Sequence, residues 1–354
     1  MDVLGRLNIL SILALLCMTA SGAPAPAPAA EKQLVVLTWA DYIDPQVIAE
    51  FERAQHAKVK FTYFESDDDR DDLLTQSKGT GYDVVLADGI SVTTYADVGW
   101  LAPIPQTLIP NLKHIDRRWR RAFSRAQQYG VPYFWGTIGI AYRRDKVSAE
   151  FTSWMDLYRP QLALSGKILM IKHARDVIGM ALKALGYSPN SGDPAQLAQA
   201  RELLLAQKPF VRAYSYVSLS KESALVTGEV WAAMVFSGDS ITLRELDPNI
   251  AFVIPKEGSN LGVDYFTIMK SSTNKTLAAA FINFIHDPQR NARIARFVHY
   301  ATPNLAAQRY LPSAYFKDPI IYPNKVILKN SEFFVTLASS ATKLRNEIFQ
   351  TLLQ

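Results

Sequence analysis

Hydrophobic and polar positions along the chain predict an alternation of strands and helices. An apolar run from Leu34 to Thr38 predicts a first strand, and a run from Val59 to Phe64 predicts a second. Between them, Asp44 and Pro45 supply an N-cap and a first-turn proline for a helix. The apolar face of that helix consists of Val47, Ile48 and Phe51. Strand, helix and strand in this order predict a parallel sheet covered by helices.

The later part of the chain continues this pattern. An apolar run from Tyr82 to Ala87 predicts a buried strand that ends at Asp88 and Gly89, at the edge where open α/β sheets bind ligands. An aromatic segment from Val131 to Tyr142 predicts another strand, which contains two glycines. Further strands are predicted at 230–236, 251–254 and 264–269, and helices at about 176–185 and 194–205.

A cluster of aspartates follows the second predicted strand. Its members are Asp67, Asp68, Asp69, Asp71 and Asp72. Acidic residues at a helix start are stabilised by the free backbone N–H groups and by the helix dipole, so helix capping is the favoured interpretation. Calcium binding is the alternative, but the calcium-loop pattern with its glycine is absent from the sequence.

The N-terminal segment differs from the rest of the 354 residues. Arg6 precedes an apolar run from Leu7 to Met18, and small residues with an Ala-Pro repeat follow, which predicts a secretory signal peptide over residues 1–29. Ala27-Pro28-Ala29 offers a cleavage site, so we expect the mature chain to start near Ala30. A single-pass anchor is the alternative, but the run is shorter than the roughly 20 residues needed to span a bilayer.

Cys17 is the only cysteine and lies within the signal peptide. The mature chain should therefore contain no thiol. This excludes disulfides, thiolate metal ligands and a cysteine nucleophile from its chemistry.

The formal net charge is +5, and a basic segment contributes much of it. Its members are Lys113, Arg117, Arg118, Arg120, Arg121 and Arg125. At helical spacing, such a segment is most often a solvated face, and a docking patch for a membrane or a partner is the alternative. The net charge does not determine the ligand, because a buried pocket can differ in sign from the surface around it.

Motifs that carry catalysis are absent from the sequence. There is no P-loop, GxSxG elbow, HExxH or dinucleotide-binding GxGxxG motif. No histidine lies at metal-ligand spacing from another; the five are His56, His114, His173, His286 and His299. We therefore expect a protein that is not an enzyme and that uses no metal or other cofactor.

Acidic residues beside aromatic ones recur at predicted loop and strand ends. The sets are Trp39, Asp41 and Tyr42; Phe236 and Asp239; Asp264 and Tyr265; and His299 and Tyr300. A ligand with ammonium ends and a methylene body needs carboxylates for its charges and aromatic faces for its stem. The alternative is that these residues belong to the core and to helix caps.

From about Leu34 to Tyr322, the chain resembles the bacterial periplasmic spermidine/putrescine-binding proteins. The matching stretches are LTWADYI, YDVVLADG, VPYFWGTIGIAY, TSWMDLYRP, ARDVIGMALKALGYS, TGEV, PKEG and YATPNLAA. The resemblance implies an α/β fold of the type II periplasmic-binding class, in which two lobes, each with a sheet flanked by helices, close around the ligand.

The resemblance implies a set of ligand-binding residues. Asp264 matches the principal amine-binding aspartate of the family, and Asp239 matches an acidic residue of its putrescine binders. The remaining matches are Trp39, Asp41 and Tyr42 in the first ligand loop, Asp176, Phe236 in place of the usual Trp, and Tyr300 as an aromatic wall.

Four positions depart from the family pattern. Asp88 stands where the family has Ser, and His173 stands where spermidine binders have an acidic residue. Gly262 replaces a Trp that covers the alkyl chain, and Phe334 lies near the position of a Gln. We expect a ligand that is longer, bulkier or differently tipped than putrescine. We also expect affinity to fall as pH drops from about 7.5 to 5.5, because protonated His173 would repel an ammonium group.

The resemblance also implies an organisation and a partner. One lobe is expected at 30–136 plus 263–302 and the other at 137–262 plus 303–354, with crossings near Gly136, Gly262 and Thr302. The expected protein is a periplasmic monomer that binds a polyamine, contacts no nucleic acid and delivers its ligand to an inner-membrane ABC permease. Docking on a membrane signalling receptor is the alternative.

Overall fold

The computed structural model describes residues 32–354. The expected signal peptide, its cleavage site and Cys17 lie outside the described residues. Within the described residues, no helix combines the length and the apolar character needed to cross a membrane.

The described residues contain ten strands. They are β1 (Lys32–Trp39), β2 (Ala57–Phe64), β3 (Val84–Asp88), β4 (Leu101–Ala102), β5 (Gly130–Arg143), β6 (Ile168–Met170), β7 (Val211–Tyr214), β8 (Ala232–Phe236), β9 (Ile250–Val253) and β10 (Leu261–Met269).

The same part of the chain contains fourteen α-helices. They are α1 (Pro45–Gln55), α2 (Asp67–Gln76), α3 (Gly89–Asp97), α4 (Arg117–Arg120), α5 (Ala126–Tyr129), α6 (Trp154–Tyr158), α7 (Ala174–Ala184), α8 (Pro194–Gln207), α9 (Ser237–Leu246), α10 (Lys275–Ile285), α11 (Pro288–Val298), α12 (Ser313–Lys317), α13 (Lys325–Asn330) and α14 (Ser339–Leu353).

The first strand, helix and strand confirm the prediction from the hydrophobic pattern. Asp44 caps α1 by accepting a hydrogen bond from the backbone N–H of Gln46 at 2.8 Å, and Pro45 occupies the first turn. The apolar face of α1 is buried, and β1 pairs in parallel with β2 along its whole length. Asp67, Asp68 and Asp69 lie in the first turn of α2, behind an N-cap at Ser66, which confirms the capping interpretation.

The sheet is mixed, so the expectation of a parallel sheet is only partly correct. Strand β1 lies between β2 and β3 and is parallel to both, and β6 is parallel to β7 and β8. The long strands β5 and β10 run antiparallel to their neighbours. Strand β5 pairs with β10 up to Thr137 and with β8 from Ile138 onwards, and this change of partner lies next to Gly136.

Two large hydrophobic cores lie on either side of this change of partner. The first core includes Leu34, Phe51, Tyr133, Phe266 and Phe281. The second core includes Trp154, Ile168, Ile178, Leu204 and Phe349. A smaller cluster around Leu225 and Leu243 accompanies them.

The core in which each C-terminal residue packs indicates where the chain passes from one lobe to the other. Ala307, Leu311 and Ile321 pack in the first core, whereas Phe334 and Ile348 pack in the second. This packing favours a last crossing after residue 321 over one near Thr302. The division into lobes otherwise stays a prediction.

Candidate functional site

A hydrogen bond between two half-buried side chains joins the first loop to β10. The hydroxyl of Tyr42 donates to Asp264 Oδ2 at 2.9 Å, and the hydroxyl of Tyr133 donates to the backbone oxygen of Tyr42 at 2.9 Å. Burial raises the pKa of Asp264 to about 7, although the hydrogen bond from Tyr42 opposes that shift. Asp264 is therefore a carboxylate that the fold leaves short of stabilising partners.

A second pair with the same chemistry lies where β8 runs into α9. The hydroxyl of Tyr300 donates to Asp239 Oδ1 at 3.1 Å, and Asp239 belongs to the first turn of α9. Burial raises the pKa of Asp239 to about 6, against the hydrogen bond from Tyr300. Among residues 32–354, neither Asp239 nor Asp264 has a basic side chain within ion-pair distance.

The two tyrosines connect these carboxylates. The rings of Tyr42 and Tyr300 meet edge to face with their centroids 5.7 Å apart. The ring of Tyr300 fits only because two of its neighbours are glycines: a Cβ on Gly136 would lie 2.8 Å from that ring, and one on Gly238 would lie 2.1 Å from it. The fold thus brings Asp264, Tyr42, Tyr300 and Asp239 together from four separate parts of the sequence.

A row of aromatic rings is built from Trp39, Phe64, Tyr216 and Phe236. The ring of Trp39, at the end of β1, lies 4.4 Å from that of Phe64 and 5.6 Å from that of Tyr216. Tyr216 in turn stacks on Phe236 at 6.2 Å, with 17° between the ring planes. These flat apolar faces suit the methylene stem of a ligand and contact with a cation.

Tyr216 is not among the residues that the sequence predicts for the site. It lies in the irregular segment after β7, and the one local signal is its spacing of two residues from Tyr214. Its hydroxyl is buried and has no hydrogen-bond partner among the described residues. Burial raises the pKa of Tyr216, and the charges of Asp67 and Asp176 raise it further, so this hydroxyl faces an acidic environment.

Asp88 is already occupied by partners in the fold. Its Oδ1 accepts the backbone N–H groups of Ile90 and Ser91, and its Oδ2 accepts the Ser91 hydroxyl at 2.6 Å. Arg70 lies 3.3 Å from Oδ2, and Arg175 lies 3.6 Å from Oδ1. Burial raises the pKa of Asp88, but the two guanidinium groups and Ser91 outweigh it, and the net pKa is well below the usual range.

Arg70 and Arg175 are themselves committed to carboxylates. Arg70 is 1% exposed and also forms ion pairs with Asp67 and Asp71. Arg175 lies in the first turn of α7, which packs in the second core, so its ion pair with Asp88 links the two cores. These arginines are not free to bind an anionic ligand, and a role of Asp88 in ligand binding stays a prediction.

His173 and Asp176 form a pair at the start of α7. His173 Nδ1 lies 2.7 Å from Asp176 Oδ2, and both residues are buried. Burial lowers the pKa of His173, but the adjacent Asp176 carboxylate raises it more, so the net pKa lies above the ordinary histidine value. Below that pKa, protonated His173 neutralises the charge of Asp176.

This pairing leads to a test of whether Asp176 lies within reach of a bound amine. His173→Gln should strengthen amine binding about threefold to tenfold at pH 6, because it removes the cation that neutralises Asp176, and should change it less at pH 8.5. Calorimetric titration at both pH values measures this. Equal affinities of the wild type and the variant at both pH values would place Asp176 outside the site.

The remaining predicted positions form no side-chain hydrogen bond or ion pair with the residues described above. Asp41 is exposed in a left-handed conformation (φ 53°) and forms no hydrogen bond through its side chain within residues 32–354. Phe334 is buried in the second core against Gly179. Apart from its chain neighbours, a Cβ on Gly262 would meet a single atom of the described residues within 4 Å, Asn260 Nδ2 at 3.9 Å. Open space therefore lies at the position where the resemblance implies a Trp.

The amino-acid sequence is similar to those of known proteins over most of its length. The family model described as bacterial extracellular solute-binding protein matches residues 46–323. The spermidine/putrescine-binding periplasmic protein 1 of Haemophilus influenzae is 32% identical over 86% of this chain and 84% of its own length. The spermidine/putrescine-binding periplasmic protein of Escherichia coli is 30% identical over 90% of this chain and 91% of its own length.

Solved structures agree with the sequence comparison. The substrate-binding protein of a spermidine/putrescine ABC transporter from Streptococcus pneumoniae superposes with a TM-score of 0.78. It is 29% identical, and the match covers 92% of this chain and all of that one. The expected α/β fold of the type II periplasmic-binding class is therefore confirmed, and the chain belongs to the family of bacterial extracellular solute-binding proteins.

Proposed function

We propose that the protein binds a polyamine or a related organic cation between its two lobes. The observation that carries this proposal is the pair of carboxylates, Asp264 and Asp239, which are joined through Tyr42 and Tyr300 and lack a basic partner in the described residues. Both carboxylates are half-buried. Removing a carboxylate from water without a counter-charge is unfavourable, and an ammonium group supplies that charge.

The proposed roles of the other residues follow from their placement. Trp39, Tyr216 and Phe236 provide faces for the methylene stem, and the free hydroxyl of Tyr216 offers a hydrogen-bond acceptor for an N–H group. Asp176 adds negative charge near that hydroxyl. No residue in this set is assigned a chemical step, because binding and release are sufficient for the proposed role.

The partner that fits this role is an inner-membrane ABC permease. The Streptococcus pneumoniae structure that resembles this chain is named as the substrate-binding protein of such a transporter, and the relatives from Haemophilus influenzae and Escherichia coli are named as periplasmic. We therefore propose a periplasmic location and delivery to a permease. The alternative of a signalling receptor is not favoured.

A thermal-shift series on the chain from residue 30 onward tests the ligand class. Putrescine, cadaverine, agmatine, spermidine and norspermidine should be compared with 1,4-butanediol, which keeps the stem of putrescine and lacks its charges. At least one amine should raise the melting temperature at pH 8, because a ligand that binds only the folded state stabilises it. If no amine exceeds the diol, the proposed function is wrong.

The open space at Gly262 leads to a prediction about ligand size. Gly262→Trp should strengthen putrescine binding about tenfold, because covering two methylenes contributes roughly 0.8 kcal/mol each. The same substitution should weaken binding of a ligand that now occupies that space. Calorimetric titration of putrescine and spermidine into wild type, Gly262→Trp and the control Gly262→Ala measures the difference. Equal effects on both ligands would show that position 262 does not line the site.

A further inference from the structure

The basic segment forms a concave site outside the carboxylate pair. A cavity of about 250 Å³ is lined by Gln106, Arg117, Arg120, Arg121 and Gln127. All five lining side chains carry N–H donors, and none carries a negative charge. Arg117, Arg121 and both glutamines are exposed and Arg120 is half-buried, so the basic segment is a solvated face in which three arginines border one open concavity.

The backbone that carries these arginines is firmly held. The ring of Trp119, in α4, is 2% exposed and stacks on Trp135 with 4.7 Å between centroids. The backbone oxygen of Trp119 accepts a hydrogen bond from the hydroxyl of Tyr265 at 2.6 Å. The backbone N–H of Asp116 donates to Pro303 at 2.9 Å. The arginines are therefore placed by a packed core rather than by a mobile loop.

The arginines of the cavity lack carboxylate partners. Within the described part of the chain, Arg117, Arg120 and Arg121 form no ion pair. The nearby carboxylates are engaged elsewhere: Asp116 accepts the backbone N–H of Arg118, and Asp97 pairs with Arg125 at 2.9 Å. Burial lowers the pKa of Arg120, and its two arginine neighbours lower it further, so their like charges repel across the cavity.

We propose that Arg117, Arg120 and Arg121 bind a phosphate group in this cavity. Guanidinium forks match the oxygens of a phosphate in pairs, and the two glutamine amides can supply further donors. A bound phosphate would relieve the repulsion among the three positive charges. The group could be supplied by free inorganic phosphate or by the headgroup of an anionic phospholipid. This site is separate from the carboxylate pair and does not depend on the ligand proposed for it.

Two binding measurements on the chain from residue 30 onward test the proposal. One titrates inorganic phosphate and follows binding by calorimetry, and the other measures cosedimentation with phosphatidylglycerol vesicles against phosphatidylcholine vesicles. Phosphate binding alone identifies a free anion as the source, and binding to the anionic vesicles identifies a lipid headgroup. Binding in neither measurement overturns the proposal.

Matched variants distinguish binding in the cavity from non-specific attraction to the positive charge of the protein. The triple variant R117Q/R120Q/R121Q should weaken the observed binding at least tenfold. The control R53Q/R159Q/R201Q removes three exposed arginines that do not line the cavity and should change binding less than twofold. Equal losses in the two triple variants would show non-specific attraction and overturn the proposal. The melting temperature of each variant verifies that it is folded.

Discussion

Asp264→Asn is expected to weaken amine binding by about a hundredfold to a few thousandfold. The proposed ligand places an ammonium group beside this carboxylate, and leaving a buried charge without its partner costs on the order of 3–5 kcal/mol. The asparagine oxygen can still accept the hydrogen bond from Tyr42, so the loss reports the charge rather than a rearranged loop. Calorimetric titration at pH 8 measures the effect.

The same substitution should stabilise the protein in the absence of ligand. Because the folded-state pKa of Asp264 is raised to about 7, its contribution to stability is fully present below about pH 4 and is lost as pH rises through 7. At pH 8 the variant should therefore be more stable by on the order of 1–3 kcal/mol, and at pH 4 the difference should be small. Thermal unfolding at both pH values measures it.

Glu202→Gln is the matched control, because it removes the same charge from an exposed position in α8, outside the predicted ligand-binding residues. It should leave the stability of the free protein unchanged and change amine affinity less than Asp264→Asn does. Unchanged affinity in Asp264→Asn would remove that residue from the site. An equal loss in both variants would attribute the effect to net charge.

Amine affinity is expected to rise by on the order of 10²- to 10³-fold between pH 5 and pH 7.5. Asp264 and Asp239, with pKa values raised to about 7 and about 6, are both mainly protonated at pH 5 in the free protein. A bound cation favours their ionised forms, so binding releases protons, and the affinity increases until both groups ionise unaided.

Calorimetry in buffers of different ionisation enthalpy counts the protons directly. Nearly two protons should leave per amine bound at pH 5, and fewer than one at pH 7.5. Asp264→Asn should reduce the number at pH 5 by about one. A proton count near zero throughout this range would contradict the assignment of both aspartates as amine ligands.

The pH dependence of amine binding is expected to have a different origin from the one that the sequence predicts. Reference pKa values place aspartates near 3.9, so His173 was the only group expected to titrate near neutral pH. The structure raises the pKa of Asp264 and Asp239 into that range by burial. His173 faces Asp176 at 2.7 Å, so its protonation affects an amine through Asp176.

Local signals in the sequence predicted the local parts of the fold. The cap at Asp44, the buried face of α1 and the acidic first turn of α2 depend on residues that lie within one or two turns of one another. The antiparallel placement of β10 between β3 and β5 could not be predicted in this way, because it joins residues more than 100 positions apart.

The candidate site likewise has a part that could be predicted from local sequence and a part that depends on long-range contacts. The acidic and aromatic residues were recognisable by type, but their partners depend on the tertiary fold. Asp88 faces Arg70 and Arg175, and neither arginine was singled out from the sequence. Tyr216 comes from an irregular segment between strands, and the glycines around Tyr300 have a role only once that ring lies against them.

A crystal structure of the protein with the best-binding amine tests the central claim most directly. The account predicts an ammonium nitrogen within hydrogen-bond distance of Asp264, a second N–H group at Asp239, and the stem against Trp39, Tyr216 or Phe236. An amine bound elsewhere, with Asp264 and Asp239 still lacking a positive partner, would contradict it.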